Sequence, residues 1–239
     1  MNIGLLGYGK MGREIEHICL RRGHAISWRI TTANKETLTA ELLRRADVVI
    51  EFTSPGSAPS NIQFCIANRV PVVTGSTGWY AHLDDMKAFC AQNESALFYA
   101  SNFSIGVNVF FAVNRYMSRL MGRYPEYRAA IEEIHHTQKL DAPSGTAITL
   151  AEKTAQAHPV YGGWANAGEA SETQIPVKAI RQDAVPGTHT LTWKSEADKL
   201  VFTHEAFNRS GFATGAVKAA EWLIGKKGTF TMDDLLELE

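Results

Sequence analysis

Three glycines near the start of the chain restrict its possible folds more than any other feature. The run GYGKMG (7–12) follows an apolar stretch at 2–7 and precedes a helix predicted over 11–22. A GxGxxG in this position provides a tight turn, a close approach of the backbone to a pyrophosphate, and close packing of the helix on the strand. A merely flexible turn would not need three glycines in this register, so the run predicts dinucleotide binding.

Short apolar runs alternate with amphipathic stretches through residues 1–101. Strands rich in Val, Ile, Leu and Phe that alternate with helices are typical of a parallel sheet covered on both faces. We therefore expect an α/β Rossmann domain. The predicted strands are 2–7, 26–31, 47–53, 71–75 and 96–101, and the predicted helices are 11–22, 36–46, 57–68 and 81–92.

The pattern changes after Asn102, where strands cluster without intervening helices. Such clustering indicates an antiparallel or mixed sheet, so we predict a second, mixed α+β domain. The predicted elements are a helix at 105–124, a strand at 129–137 carrying two histidines, a helix at 145–157, a loop at 161–174, strands at 175–182, 188–194 and 199–206, a helix at 212–225 and a short helix in MDDLLEL. We assign 1–104 and 211–239 to the dinucleotide-binding domain and 105–210 to the substrate domain.

Charge and composition exclude several classes of partner. The 24 Lys and Arg residues balance 25 Asp and Glu residues, which removes the electrostatic case for nucleic acid or an anionic membrane. No apolar run approaches the roughly 18 residues of a membrane span, and the chain begins directly with MNIGLLG. The three cysteines show no metal-type spacing, and an odd number makes a disulfide framework unexpected. These features favour a cytoplasmic protein that binds a small ligand.

The region after the second predicted strand bears on the choice of cofactor. NAD-preferring sites place an acid there to bind the ribose hydroxyls, but this chain has no carboxylate before Glu36. Arg29 and Lys35 could instead meet a 2′-phosphate, which favours NADPH or dual specificity. The alternative is that both are ordinary solvated charges.

Residues 133–147, EIHHTQKLDAPSGTA, combine two histidines, a lysine and a turn into a helix. On a strand, His135 and His136 should face opposite ways, and no third ligand stands at zinc-like spacing, so we expect no metal. Ser144 is a natural N-cap that would direct the amides of Gly145 and Thr146 at a carboxylate or phosphate.

The same stretch carries the groups that a hydride transfer needs. Hydride delivery to carbon leaves negative charge on the far atom, which a positioned acid must neutralise. His135 and Lys139 suit that task, since histidine titrates near neutrality and lysine supplies a mobile cation. Glu133 should lie on the same strand face as His135 and tune its protonation.

The chain resembles the 4-hydroxy-tetrahydrodipicolinate reductase family, also called dihydrodipicolinate reductase, of lysine and diaminopimelate biosynthesis. Seven motifs carry the resemblance over nearly the whole chain: GYGKMG, VVIEFTSP, VVTGSTGW, SNFSIGVN, EIHHTQKLDAPSGTA, AIRQDAVPGTHT and FTHEAFNRSGFATGAVKAAEWL. Two departures are the missing acid after the second strand and a short segment between that strand and DVVIEFT.

The resemblance implies an NADPH- or NADH-dependent oxidoreductase that acts on a dicarboxylate and assembles as a homotetramer through the middle sheets. It implies that His135 and Lys139 are catalytic, and that His136, Gly145 and Thr146 bind the carboxylates of the substrate. Our interpretation of the turn adds Lys139 and Ser144 to the substrate-binding group. The cofactor positions that it implies are Gly7, Tyr8, Gly9, Lys10, Met11, Gly12, Gly75, Ser76, Thr77, Ala100, Ser101, Asn102 and Phe103.

Two other functions remain open from the residues alone. One is another two-domain NAD(P)-dependent dehydrogenase of an amino-acid-like substrate, and the other is a non-catalytic nicotinamide sensor. The sequence does not decide whether Arg181, His189 and His204 reach the site, for which a structural or surface role is the default, or whether the loop 161–174 moves.

Overall fold

The computed structural model describes residues 1–208 and 210–238. The chain divides into two compact units, of which the first comprises Met1–Ile105 with Ser210–Glu239 and the second Gly106–Arg209. Within the described residues no helix is both long and apolar enough to cross a membrane.

Strands and helices alternate in the first part of the chain and cluster in the second. The strands are β1 (Asn2–Leu6), β2 (Ala25–Ile30), β3 (Val48–Glu51), β4 (Val72–Thr74), β5 (Ala96–Tyr99), β6 (Arg128–His135), β7 (Gly163–Asn166), β8 (Gln174–Arg181), β9 (Gly187–Lys194), β10 (Lys199–Ala206) and β11 (Gly228–Phe230). The helices are α1 (Lys10–Arg21), α2 (Ala40–Leu43), α3 (Ala58–Ala67), α4 (Leu83–Gln92), α5 (Ile105–Met121), α6 (Gly145–Ala157), α7 (Ser210–Leu223) and α8 (Met232–Leu236).

The first unit is built on a parallel sheet with the strand order β11-β5-β4-β3-β1-β2. All four residues of the central strand β3 are buried, as expected for a strand covered on both faces. One apolar cluster joins the sheet to α1 and α7, and another joins it to α3 and α4. The prediction of a Rossmann-type sheet is therefore confirmed.

The second unit contains a mixed sheet with the order β10-β9-β6-β8-β7. Strand β6 pairs antiparallel with β9 and parallel with β8. Along β6 every second residue is buried, so that Glu133 and His135 lie on the face that also carries Ala129 and Ile131. Residues of α5 and α6, including Phe111 and Leu150, pack with that face to form the core of this unit.

Four local predictions are wrong. The segment 36–46 is not one helix: a short 3-10 turn, Lys35–Thr37, precedes α2, because the Thr39 hydroxyl accepts a hydrogen bond from Leu42 N and starts a new helix. Strand β6 ends at His135, so His136 lies beyond it. The sequence analysis also missed β7, inside the supposed loop 161–174, and β11. Both are short: β7 pairs with the next strand, β8, whereas β11 pairs with β5, far earlier in the chain.

Helix α7 offers a matched test of how closely the first unit is packed. A methyl group at Gly215 would come within 1.8 Å of the Phe103 carbonyl oxygen, whereas at Gly211 the nearest atom would be 3.9 Å away. We expect Gly215→Ala to lower the free energy of unfolding by about 1 to 3 kcal/mol, the usual effect of overpacking. Gly211→Ala should leave it unchanged or raise it slightly, because alanine favours helix. Thermal denaturation of both variants measures the difference, and equal melting temperatures would contradict it.

Candidate functional site

The glycine-rich turn in the first unit has the geometry of a nucleotide-binding loop. Gly7 has φ +90°, and a side chain there would meet the Phe52 carbonyl oxygen at 1.9 Å. A side chain at Gly12 would meet the Gly7 carbonyl oxygen at 2.3 Å, whereas at Gly9 it would meet no atom within 4 Å. Gly7 thus makes the turn, Gly12 lets α1 pack against it, and Gly9 leaves the backbone open to a ligand.

A cavity of about 420 Å³ opens beside this turn. Helix α1 begins here at Lys10 without a side-chain cap, which leaves its first amides available to an anion. The sequence prediction included Gly7, Tyr8, Gly9 and Lys35 but not the hydroxyl and amide groups after β2 and β3. The cavity is lined by Leu6, Gly7, Tyr8, Gly9, Ile30, Thr31, Thr32, Lys35, Thr53, Ser54, Ser57 and Asn61.

Arg29 and Lys35 have different surroundings. Arg29 Nε donates to Glu16 Oε2 at 2.9 Å, and a second guanidinium nitrogen pairs with the other Glu16 oxygen. The hydrogen bonds from Arg29, aided by the hydroxyl of Tyr8, overcome the effect of burial and lower the pKa of Glu16 to about 2. Arg29 is therefore committed to Glu16, whereas exposed Lys35 lines the cavity and can face a phosphate.

The loops after β4 and β5 combine buried anchors with exposed residues. Ser76 Oγ lies 3.0 Å from Glu51 Oε1 and accepts a hydrogen bond from Thr53 N, so its hydroxyl holds the loop. The Phe103 ring is buried beside Phe98. Exposed Thr77 and Ser101, along with the loop backbone, can face a ligand. The remaining predicted positions are Gly75, Ala100 and Asn102 in these loops and Lys10 and Met11 in the first turn of α1.

The second unit places the buried carboxylate of Glu133 at the centre of its candidate site. Glu133 Oε1 accepts hydrogen bonds from Ser144 N at 2.9 Å and from Arg181 Nη2 at 3.1 Å. Its Oε2 lies 3.2 Å from His135 Nδ1, which is within ion-pairing distance although the N–H is not aligned for a linear hydrogen bond. Burial raises the pKa of Glu133, but the contacts from His135, Ser144 and Arg181 outweigh that effect and lower the pKa to about 2. The carboxylate is therefore ionised at neutral pH.

His135 is held between Glu133 and a glycine. The imidazole is 7% exposed, and Glu133 Oε2 faces its Nδ1. At Gly187 an added Cβ would lie 2.9 Å from His135 Nε2. Gly187 thus packs closely against the ring, and a side chain at this position would crowd Nε2.

Lys139 lies in the loop that follows β6. Its Nζ donates to both Asp141 oxygens at 2.8 Å, which lowers the pKa of Asp141. Arg181 fixes the same loop, since Nε donates to the Lys139 carbonyl at 3.3 Å and Nη2 to the Asp141 carbonyl at 2.5 Å. Because Arg181 also binds Glu133, the loop of Lys139 and the strand of His135 are tied together.

Helix α6 begins as the sequence predicts. Ser144 caps it, with the hydroxyl accepting from Ala147 N at 3.2 Å. Ser144 itself is buried, so its hydroxyl serves the cap. The next residue, Gly145, is exposed, and a side chain there would meet no atom within 4 Å. Gly145 and the half-buried Thr146 thus place the helix N-terminus where a carboxylate can approach it.

Two further histidines complete the surroundings. His189 Nε2 lies 3.2 Å from Ser144 Oγ, and burial, reinforced by the nearby His135, lowers the pKa of His189 to about 4. His189 is therefore neutral near pH 7. His136 is half-buried just beyond the end of β6.

A buried cluster of possible metal ligands occurs in the same place. Donor atoms of Glu133, His135 and His189 all lie within 4.8 Å of one another. Arg181 already neutralises the Glu133 carboxylate, however, and would repel a second cation at this distance. The absence of a functional metal remains a prediction.

Sequence analysis left Arg181 and His189 undecided and did not consider Gly187. All three belong to the motif AIRQDAVPGTHT (179–190), whose significance depends on strand register. Arg181 is the neighbour of His135 on β8, and His189 faces Glu133 on β9. An arginine and a histidine within predicted strands could have indicated a functional role. Their partners on β6 are about 50 residues away in the sequence, however, and the pairing could not be predicted.

Two family models match the chain in succession. The model described as dihydrodipicolinate reductase, N-terminus, matches residues 1–103, and the one described as dihydrodipicolinate reductase, C-terminus, matches residues 106–236. Together they cover both units.

Similar proteins agree with these matches. A 4-hydroxy-tetrahydrodipicolinate reductase of Christiangramia forsetii is 47% identical over 99% of this chain and 98% of its own length. A reductase of the same name from Nitratiruptor is 35% identical over 82% and 79%. The solved structure of a dipicolinate-bound dihydrodipicolinate reductase from Paenisporosarcina has a TM-score of 0.77 at 23% identity, covering 97% of each chain, which shows the same fold. The chain belongs to the dihydrodipicolinate reductase family.

Proposed function

We propose that this protein reduces (2S,4S)-4-hydroxy-2,3,4,5-tetrahydrodipicolinate to tetrahydrodipicolinate in lysine and diaminopimelate biosynthesis. NADPH or NADH supplies the hydride, one proton is taken up, and one water leaves. The observation that carries the proposal within this chain is the network around Glu133, which ties His135, the loop of Lys139 and the N-terminus of α6 together.

His135 and Lys139 are the proposed proton-handling groups. Hydride reaches the ring carbon that bore the hydroxyl, and the charge that develops on the far atom of the substrate must be neutralised. The ionised Glu133 lies 3.2 Å from His135 Nδ1 and orients the imidazole. The ammonium of Lys139 supplies a second proton source on a flexible side chain.

A dicarboxylate substrate fits the same residues. We assign one carboxylate to the amides of Gly145 and Thr146 at the start of α6, together with Lys139 and His136. Ser144 supports that turn as the helix cap. The diacid dipicolinate in the Paenisporosarcina structure supports this substrate class.

Cofactor binding is assigned to the first unit. The open backbone at Gly9, the uncapped start of α1 and the adjoining cavity suit a pyrophosphate and a ribose. Lys35 can neutralise a 2′-phosphate, which favours NADPH without excluding NADH.

Assembly and location follow the family resemblance. We propose a homotetramer formed through the second-unit sheets, working in the cytoplasm. One face of that sheet carries a row of half-buried threonines on β9, Thr188, Thr190 and Thr192, and this face suits a contact between copies. The oligomeric state in solution can be measured by light scattering.

The first test reconstitutes the reaction from pyruvate, aspartate semialdehyde and the upstream synthase, with NAD(P)H absorbance as the readout. We expect His135→Gln and Lys139→Met each to lower kcat by about 100-fold or more, the usual contribution of a general acid. Binding of NADPH should not change, because the proposed cofactor residues belong to the other unit. Near-normal turnover in both variants would refute the assigned roles.

The same assay separates the alternatives. Turnover of aspartate or another amino acid without turnover of the synthase product would indicate a different dehydrogenase. Cofactor binding without any turnover would indicate a sensor. Either result would overturn the proposed substrate.

The second test compares Lys35 with Arg29. We expect Lys35→Ala to raise the KM for NADPH about fivefold, as for the loss of an exposed ion pair, with little effect on NADH. Arg29→Ala is the matched control, because Arg29 is paired with Glu16 and its loss should affect both cofactors alike. A rise in the KM for NADPH but not for NADH in the Arg29 variant would contradict this assignment.

A further inference from the structure

We propose that Arg181 is a positioning residue that holds His135 and Lys139 in one arrangement by binding Glu133 and the backbone of the loop 139–141. The inference rests on the proposed function, because it takes His135 and Lys139 as the reacting groups. Arg181 itself need not touch the substrate.

The guanidinium of Arg181 reaches four acceptors. Its Nη1 donates to the Ile180 carbonyl at 2.9 Å, Nε to the Lys139 carbonyl at 3.3 Å, and Nη2 to both the Asp141 carbonyl at 2.5 Å and Glu133 Oε1 at 3.1 Å. The side chain is 19% exposed. A planar group with five donors in fixed directions can join strand and loop in this way, whereas an ammonium has no such geometry.

Strand register puts Arg181 beside the imidazole. In the parallel pair of β6 and β8, Arg181 is the neighbour of His135, and Gln182 N donates to the His135 carbonyl at 2.7 Å. The guanidinium and the imidazole share one carboxylate, since Arg181 binds Oε1 of Glu133 and His135 faces Oε2. A movement of the Glu133 carboxylate would therefore move the guanidinium and the imidazole together.

This arrangement also assigns the reactive nitrogen. An ionised Glu133 beside Nδ1 favours the tautomer that carries its proton there, which leaves Nε2 to exchange a proton with the substrate. Gly187 packs against this side of the ring, and a side chain there would crowd Nε2, since its Cβ would lie 2.9 Å away. Arg181 contributes by fixing Glu133 as a charged, oriented partner.

The test compares Arg181→Lys and Arg181→Ala with Arg128→Lys, which changes an exposed arginine at the start of β6, the strand that carries Glu133 and His135. We expect Arg181→Lys to lower kcat about 100-fold, a loss typical of a misplaced catalytic group, with the affinity for NADPH unchanged. Methylguanidinium should restore part of the activity of Arg181→Ala. Arg128→Lys should behave as wild type.

A readout independent of turnover is the ¹⁵N NMR spectrum of the His135 ring. We expect one neutral tautomer, protonated on Nδ1, in the wild type and a mixture in Arg181→Ala. Should the alanine variant fail to fold, Arg181→Lys carries the test, because it keeps a cation beside Glu133.

The proposal is overturned if Arg181→Lys keeps wild-type kcat and an unchanged His135 spectrum. It is also overturned if activity falls only in proportion to the folded fraction. Failure of the proposed function would look different, since the wild type itself would then leave the substrate unchanged while the NMR comparison would still report on the positioning of His135.

Discussion

A charged carboxylate buried inside the second unit is the constraint on which the site depends. Glu133 has no exposed surface, and an isolated charge there would be very costly. It remains ionised because β8 contributes Arg181, the start of α6 contributes the Ser144 amide, and His135 lies two residues further along β6. A unit that folds around this carboxylate must bring those elements together. The contacts that keep Glu133 ionised are therefore also contacts that hold β6, β8 and α6 together.

The first unit meets a different constraint, which is steric. Side chains at Gly7, Gly12 and Gly215 would collide with backbone carbonyl groups, so the strands and helices approach more closely than other residues permit. Because the strands run parallel, the loops after β1, β4 and β5 all leave the sheet at its carboxyl end. The ligand then needs few side chains, because the backbone presents its amides directly.

Local signals predicted much of this protein from sequence. The glycine register at 7–12 and the Ser144 cap of α6 depend on neighbouring residues, and the structure agrees with both. Strand β7 was missed because it has only four residues, and strand β11 because it is short and pairs with β5, far earlier in the chain. Arg181 was undecidable for the same reason, since its partners Glu133, Lys139 and Asp141 lie about 40 to 48 residues earlier. The features that could be predicted depend on neighbouring residues, whereas the missed contacts of Arg181 depend on the register of strands that are far apart in the sequence.

The pairing of Lys139 with Asp141 has a consequence for selectivity. Both oxygens of the aspartate lie 2.8 Å from the ammonium, so in the proposed role of Lys139 an incoming ligand would meet a cation that already has an anionic partner. Asp141 would then compete with the ligand for the ammonium of Lys139. A ligand with a weak, neutral acceptor, such as an amide or an ester, would not compensate for the loss of the contact with Asp141. A ligand carboxylate could replace the Asp141 carboxylate as the partner of the ammonium. The loop would thus favour anionic ligands over neutral ones at the binding step, before the chemical reaction begins.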